Sequence, residues 1–115
     1  MRFEDLEVWQ RAVRLSAELY RTLAQLRDFG FREQITKAGL SIPSNIAEGY
    51  ERGSDRELAN FLRYAKGSAG ELRTQVYIGM DIGHIDREAG ARWLGEAEEI
   101  SRMLHGLIRA TRRDK

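Results

Sequence analysis

Cationic side chains concentrate near the C-terminal end of the chain. Residues 102 to 115 hold five basic and one acidic side chain (+4), while the rest holds 14 basic and 17 acidic side chains (−3). Phosphate groups pair with such cations, so these residues are candidate nucleic-acid contacts. The five are Arg102, Arg109, Arg112, Arg113 and Lys115. The alternative is that they complement the dipole at a helix C-terminus.

Polar side chains at helical spacing form a second candidate site. Two stripes recur at steps of three and four, so each shares one face of a helix. If the stripes meet, they form a hydrogen-bonded network that either fixes the register of two helices or lines a ligand or partner site. The candidate network comprises Ser41, Asn45, Glu48, Ser68, Glu71 and Gln75.

The residue types argue against an enzyme. The chain has no cysteine, which excludes thiolate chemistry and cysteine-ligated metals. It has two histidines, and only Asp81 with His84 approximates the carboxylate–histidine pairs of di-metal bundles. The segment 67–70 differs from the Gly-x-Ser-x-Gly nucleophile elbow. We therefore predict no catalytic residue, no metal and no cofactor.

Apolar spacing predicts four helices that position these residues. They span about residues 5–26, 31–51, 55–82 and 87–112. Gly30 is predicted as a left-handed turn residue after the first helix. Ser54, followed by Glu57, predicts a capping box for the third, and Asp86 predicts the N-cap of the fourth. Short connectors join antiparallel neighbours, so we predict an all-α, up-down-up-down four-helix bundle, one domain over residues 1–115.

The single proline lies inside the second predicted helix. Pro43 cannot donate a hydrogen bond to the carbonyl of Gly39, so we predict a kink there. Gly67 and Gly70 fall within the third helix, where each glycine costs about 1 kcal/mol relative to alanine. We predict that they allow the kinked helix to approach, and that Gly67→Leu would overpack the contact more severely than Pro43→Ala would disturb it.

The first helix carries two neighbouring apolar seams, more than one helix partner requires. The surplus predicts an interface between copies of the chain, with Val8, Trp9, Leu15 and Leu19 as candidate contacts. The charged start is not a signal peptide, and no run approaches about 18 apolar residues, so we expect no membrane partner. The absence of cysteine fits a reducing cytoplasm.

Four sequence segments resemble a known family. They are Phe3-Glu4-Asp5-Leu6-x-Val8-Trp9 with Phe31-Arg32-Glu33-Gln34-Ile35, the segment Ser41-Ile42-Pro43-Ser44-Asn45-Ile46-Ala47-Glu48-Gly49, and Phe61-Leu62-x-x-Ala65-Lys66-Gly67-Ser68-Ala69-Gly70-Glu71-Leu72. Together they resemble the four-helix-bundle family related to the protein encoded in intervening sequences of bacterial large-subunit ribosomal RNA genes.

The resemblance implies a cytoplasmic bacterial protein that assembles into a barrel-shaped homopentamer. It supplies no catalytic residues. A related branch assists reverse transcriptases of retroelements and binds nucleic acid through a basic surface, whereas this chain has a net charge of only +1. The leading hypothesis is a non-enzymatic scaffold or adaptor whose partner is structured RNA or a nucleic-acid enzyme. A protein-binding module is the alternative, and a small-ligand carrier or enzyme at the polar kink is a remote one.

Overall fold

The computed structural model describes residues 1–113, with side chains described through Thr111. Within this range the chain forms a short 3-10 helix, four α-helices and no strand, which confirms the predicted all-α fold with four helices. The 3-10 helix is Phe3–Asp5, and the α-helices are α1 (Glu7–Thr22), α2 (Phe29–Arg52), α3 (Asp55–Asp81) and α4 (Arg87–Arg113). None of the helices in this range combines the length and apolar character that a membrane crossing requires.

A continuous apolar core lies between the four helices. Each helix contributes residues at steps of three and four, the spacing that keeps side chains on one helical face. Burying an aliphatic or aromatic side chain of this size contributes roughly 1.5–3 kcal/mol. The largest fully buried side chains are Leu19, Ile35, Ile42, Ile46, Leu62, Leu72, Val76, Trp93, Ile100 and Leu104.

Contacts between neighbouring helices run in opposite chain order. Ser41 of α2 bonds to Ser68 of α3, whereas Gly49, later in α2, lies against Phe61, earlier in α3. The connectors α1–α2 and α3–α4 meet at one end, where His84 Nε2 is 3.0 Å from Asp28 Oδ2.

The connector between α1 and α2 differs from its prediction. Helix α1 ends at Thr22, and α2 already begins at Phe29 because Asp28 caps it, accepting a 3.1 Å hydrogen bond from the Phe31 N–H. That bond and the His84 contact lower the pKa of Asp28. Gly30 is therefore helical, and the prediction of a left-handed Gly30 is wrong.

The other two connectors follow local sequence signals. Gly53 ends α2 in the left-handed conformation with φ 91°. The Ser54 hydroxyl then accepts the Glu57 N–H at 3.1 Å, which confirms Ser54 as the N-cap of α3. The Glu57 carboxylate accepts a 3.1 Å hydrogen bond from the Ser54 hydroxyl rather than from the Ser54 backbone N–H, so the reciprocal half of the predicted capping box is not formed. Asp86 caps α4 by accepting the Ala89 N–H at 2.7 Å, as predicted.

The glycines that allow α2 and α3 to approach are not those predicted. A Cβ placed on Gly67 or Gly70 would meet no atom within 4 Å, so neither glycine mediates a close contact and the overpacking expected for Gly67→Leu is wrong. A Cβ on Gly49 would lie 3.0 Å from Phe61 Cβ. The close contact therefore occurs six residues beyond Pro43, which is buried within the continuous helix α2. A bend at Pro43 stays a prediction.

The predicted oligomer contacts on α1 lie mostly inside the chain's own core. Val8, Leu15 and Leu19 are 2%, 4% and 0% exposed. A side chain that is buried inside one copy of the chain cannot contact a second copy. The interface prediction is therefore wrong for these three residues. Trp9 is half-buried, and its ring meets that of Phe3 edge-on at 5.4 Å between centroids.

Candidate nucleic-acid interface

An open groove of about 740 Å³ runs between α3 and α4. Each helix contributes two cations seven residues apart, a spacing that puts both on the same face. On α3 these are Lys66 and Arg73, and on α4 they are Arg102 and Arg109. The rest of the lining is Glu98, Ser101, His105 and Gly106.

The groove carries an excess of positive charge. Four basic side chains face one carboxylate, that of Glu98, in its lining. Arg102 also donates to Glu99 on its own helix, at 2.6 and 3.1 Å. Among the described residues, Lys66 and Arg73 have no carboxylate within 4.0 Å. Cations that converge from two helices and outnumber the neighbouring carboxylates favour binding of an anion such as phosphate.

The structure relocates the predicted cationic site. Arg102 and Arg109 line the groove, while the side chains of Arg112 and Arg113 and all of Lys115 lie outside the described residues. Lys66 and Arg73 were missed because they lie about 30 positions earlier in the chain. The signal that could have found them is their seven-residue separation on a predicted helix.

The two polar stripes meet only in part. The hydroxyl groups of Ser41 and Ser68 are 2.8 Å apart, and the Asn45 amide donates to the Ser41 carbonyl and hydroxyl oxygens, both at 2.9 Å. The carbonyl that Pro43 leaves without its usual N–H partner belongs to Gly39, so Asn45 does not replace that bond. These three residues link α2 to α3 beside the proline, which fits a role in helix register.

Within the described residues, the other three members of the predicted network make no hydrogen bond to these three. The Glu48 carboxylate is half exposed and accepts a 2.9 Å hydrogen bond from Arg52. Glu71 borders a small cleft of about 160 Å³ between α2 and α3 that Ser41 also lines, but it is not hydrogen-bonded to Ser41. The Oε1 atom of Gln75 is buried and has no hydrogen-bond partner among the described residues. The six-residue network is thus wrong for Glu48, Glu71 and Gln75.

Ion pairs hold α4 against α1, on a different face of α4 from the groove. Arg11 donates to both carboxylate oxygens of Glu96, at 2.8 and 2.7 Å. This bond raises the pKa of Arg11 and lowers that of Glu96. Glu18 accepts hydrogen bonds from Arg92 and, at 2.9 Å, from the Trp93 indole N–H, and these lower its pKa. Arg11 and Arg92 are therefore engaged with partners inside the chain.

An apolar surface lies along the outer side of α1 and α2. Val13 and Tyr20 of α1 are 36% and 48% exposed, and Phe29 and Leu40 of α2 are 65% and 47% exposed. Tyr20 and Phe29 border the same depression of about 450 Å³. We call these four residues the outer apolar surface. Val13 and Tyr20 are the exposed members of one apolar seam of α1, whose other positions Ser16 and Leu23 are buried.

Fold and groove together define a small helical-bundle protein with a cationic groove on one side. Among the described residues, no three potential metal-ligating side chains cluster. Residues 4–106 match the family of 23S rRNA-intervening sequence proteins, and the chain belongs to that family. This membership confirms the resemblance drawn from the sequence motifs.

A solved structure shares the fold. It is the 1.70 Å crystal structure of a protein of unknown function from the S23 ribosomal protein family of Bacteroides thetaiotaomicron VPI-5482. The TM-score is 0.83 at 22% sequence identity, and the match covers 88% of this chain and 97% of the other. No curated protein matches the chain.

Proposed function

We propose that this protein is a non-enzymatic, homo-oligomeric scaffold of the bacterial cytoplasm that binds structured RNA through the α3–α4 groove. The observation that carries the proposal is the convergence of Lys66, Arg73, Arg102 and Arg109 on one groove. A nucleic-acid enzyme is a further partner for the same scaffold, because such enzymes carry bound nucleic acid whose phosphates the groove would contact.

Phosphate contacts give a measurable signature. Each neutralised phosphate releases counterions, so the logarithm of the affinity falls with the logarithm of the salt concentration by about 0.7 per contact for single strands and about 0.9 for duplexes. If all four groove cations contact phosphates, we expect a slope of about −3 to −4. The slope depends on the number of cations that contact phosphates and not on the net charge of the chain, which is only +1.

The RNA proposal is tested with charge-matched double variants. Arg73→Ala with Arg109→Ala removes two groove cations, whereas Arg27→Ala with Arg87→Ala removes two exposed cations at the end of the molecule that holds the His84–Asp28 contact. RNA affinity is measured by fluorescence anisotropy from about 50 to 200 mM salt. We expect the groove variant to weaken binding and flatten the slope by about 1.4 to 1.8, and the control to change neither.

Two results would contradict RNA binding by the groove. One is no detectable affinity of the unmodified protein for structured RNA at low salt. The other is an equal loss of affinity in both double variants, which would show diffuse attraction without a defined site. Binding of a protein partner that persists in high salt would favour the protein-binding module instead, because screening weakens exposed charge contacts but spares apolar ones.

We propose that the outer apolar surface joins the copies of the scaffold into a ring, a pentamer as the sequence resemblance implies. Val13, Tyr20, Phe29 and Leu40 are large and exposed, and such surfaces on small proteins commonly mark interaction sites. We expect light scattering to give a mass about five times 13.2 kDa.

Substitution at the outer apolar surface tests this interface. Tyr20→Asp should reduce the mass, because it places a charge in an apolar contact. The matched control is Tyr64→Asp, since Tyr64 is also exposed but lies on α3. A monomer of unmodified protein at micromolar concentration would reject self-assembly, and equal masses for both variants would reject this surface as the interface.

A further inference from the structure

We propose that the α3–α4 groove binds an unpaired RNA segment and that Tyr77 stacks on one of its bases. This inference rests on the proposed function and specifies the class of RNA. The inference assigns a role to Tyr77, an exposed aromatic side chain that is not part of the core, in addition to the groove cations.

Tyr77 continues the cationic stripe of α3. Lys66, Gly70, Arg73 and Tyr77 follow one another at steps of four, three and four, so they share one helical face. Lys66 and Arg73 line the groove, and Tyr77 lies one turn beyond Arg73. Its position extends the groove with an aromatic ring next to a cation.

The ring of Tyr77 is accessible. Tyr77 is 59% exposed, and within the described part of the chain its ring pairs with no other aromatic ring. Tyr64, on another face of α3, is similarly exposed at 57%, but its ring packs edge-on against Phe61 with centroids 5.4 Å apart. An exposed tyrosine alone is ordinary; what distinguishes Tyr77 is its place beside the cations.

The dimensions of the groove suit a single strand. The two cations of each helix are seven residues apart, about 10 Å along the axis, and packed helices have axes about 8–10 Å apart. A Cβ on Gly70 of α3 or Gly106 of α4 would meet no atom within 4 Å, so the space above both backbones is open. This open space between the two rows of cations is where the RNA backbone would lie.

The chemistry of RNA recognition favours the same class. Proteins that read single-stranded or looped RNA contact phosphates with cations and stack the unpaired bases on aromatic rings. In a duplex the bases are stacked on each other and have no free face for Tyr77. The groove therefore has cations for the phosphate of an unpaired nucleotide and Tyr77 for its base, whereas a duplex could contact only the cations.

The test compares Tyr77→Ala with the matched control Tyr64→Ala. The probes are an unpaired RNA of about ten nucleotides, the length scale of single-strand sites, and a duplex of the same composition. We expect the unmodified full-length protein to prefer the unpaired RNA, and Tyr77→Ala to weaken that binding on the order of ten-fold, the size of one base–aromatic stack. Tyr77→Phe should retain the affinity, because the ring is kept. Duplex binding should not change in any of the three variants.

The outcomes separate this inference from the proposed function. If Tyr77→Ala behaves like Tyr64→Ala while the loss of Arg73 and Arg109 abolishes binding, the groove binds RNA but the stacking inference is wrong. A preference for the duplex, or equal loss of duplex and unpaired RNA in Tyr77→Ala, also overturns it. If the unmodified protein binds neither RNA, both proposals fall.

Discussion

Replacing Gly67 with alanine should stabilise the protein, whereas the same replacement at Gly49 should not, because the two glycines differ in the space beside them. Gly67 and Gly49 are both inside α-helices, so either substitution should gain about 1 kcal/mol of helix propensity. At Gly67 the new methyl group meets no atom within 4 Å. We therefore expect Gly67→Ala to raise the free energy of unfolding by about 1 kcal/mol, equivalent to about 4 °C in melting temperature.

At Gly49 the same methyl group meets the neighbouring helix. Its Cβ would lie 3.0 Å from Phe61 Cβ, 3.1 Å from Leu58 Cδ1 and 3.4 Å from the Leu58 carbonyl oxygen. Phe61 Cβ is fixed to the backbone of α3, so relief requires the two helices to separate. Overpacking of this kind costs about 1–3 kcal/mol. After the propensity gain, Gly49→Ala should be neutral to about 2 kcal/mol destabilising, which puts it about 1–3 kcal/mol below Gly67→Ala.

Urea unfolding followed by circular dichroism measures both changes. The variants and the unmodified protein are compared at one protein concentration, because the proposed self-association would make the apparent stability concentration-dependent. The slope of free energy against urea should be unchanged, since neither substitution alters the surface exposed on unfolding. If Gly67→Ala is the less stable of the two, the close contact between α2 and α3 lies at Gly67, and the packing argument made here is refuted.

Three further predictions concern the links between helices. Arg11→Lys should lower stability by about 1 kcal/mol in urea unfolding, because an ammonium cannot reproduce the two-bond contact with Glu96; no change would mean that the pair contributes nothing. Lowered folded-state pKa values of Glu18 and Glu96 contribute stability above about pH 4.5, the ordinary pKa of glutamate. That contribution is lost as the pH falls through the folded-state values, so acid unfolding should begin at higher pH in Glu96→Gln, and an unchanged midpoint would contradict the assignment. Ser41→Ala should cost about 1 kcal/mol, and adding Ser68→Ala should cost little more, because both remove the same hydrogen bond; fully additive losses in a double-mutant cycle would show that the two hydroxyls are not coupled.

Local signals in the sequence predicted local structure well. The N-caps at Ser54 and Asp86 depend on residues three positions apart, and the structure confirms both. The turn assigned to Gly30 failed because glycine permits a left-handed conformation without requiring it, and the Asp28 carboxylate offered a helix start two residues earlier.

Features that depend on contacts between helices could not be derived from spacing. Both seams of α1 are apolar, and only packing against α2 and α4 shows that Val8 is buried while Val13 is exposed. For the same reason the sequence predicts a close approach at Gly67 and Gly70, whereas the structure has one at Gly49. The groove itself was not predicted. Arg109 was found because it belongs to a run of basic residues, whereas Arg73 lies beside it only because α3 packs against α4.

The ion pairs between α1 and α4 have a consequence for the opposite face of α4. Arg11–Glu96 and Glu18–Arg92 resist rotation of α4 about its own axis, and any such rotation would swing Arg102 and Arg109 away from Arg73. The separation of the cationic rows is therefore set when the chain folds, before any anion arrives. If the groove binds an anion as proposed, that anion meets a preorganised site, and loosening α1 should weaken the binding although α1 does not line the groove.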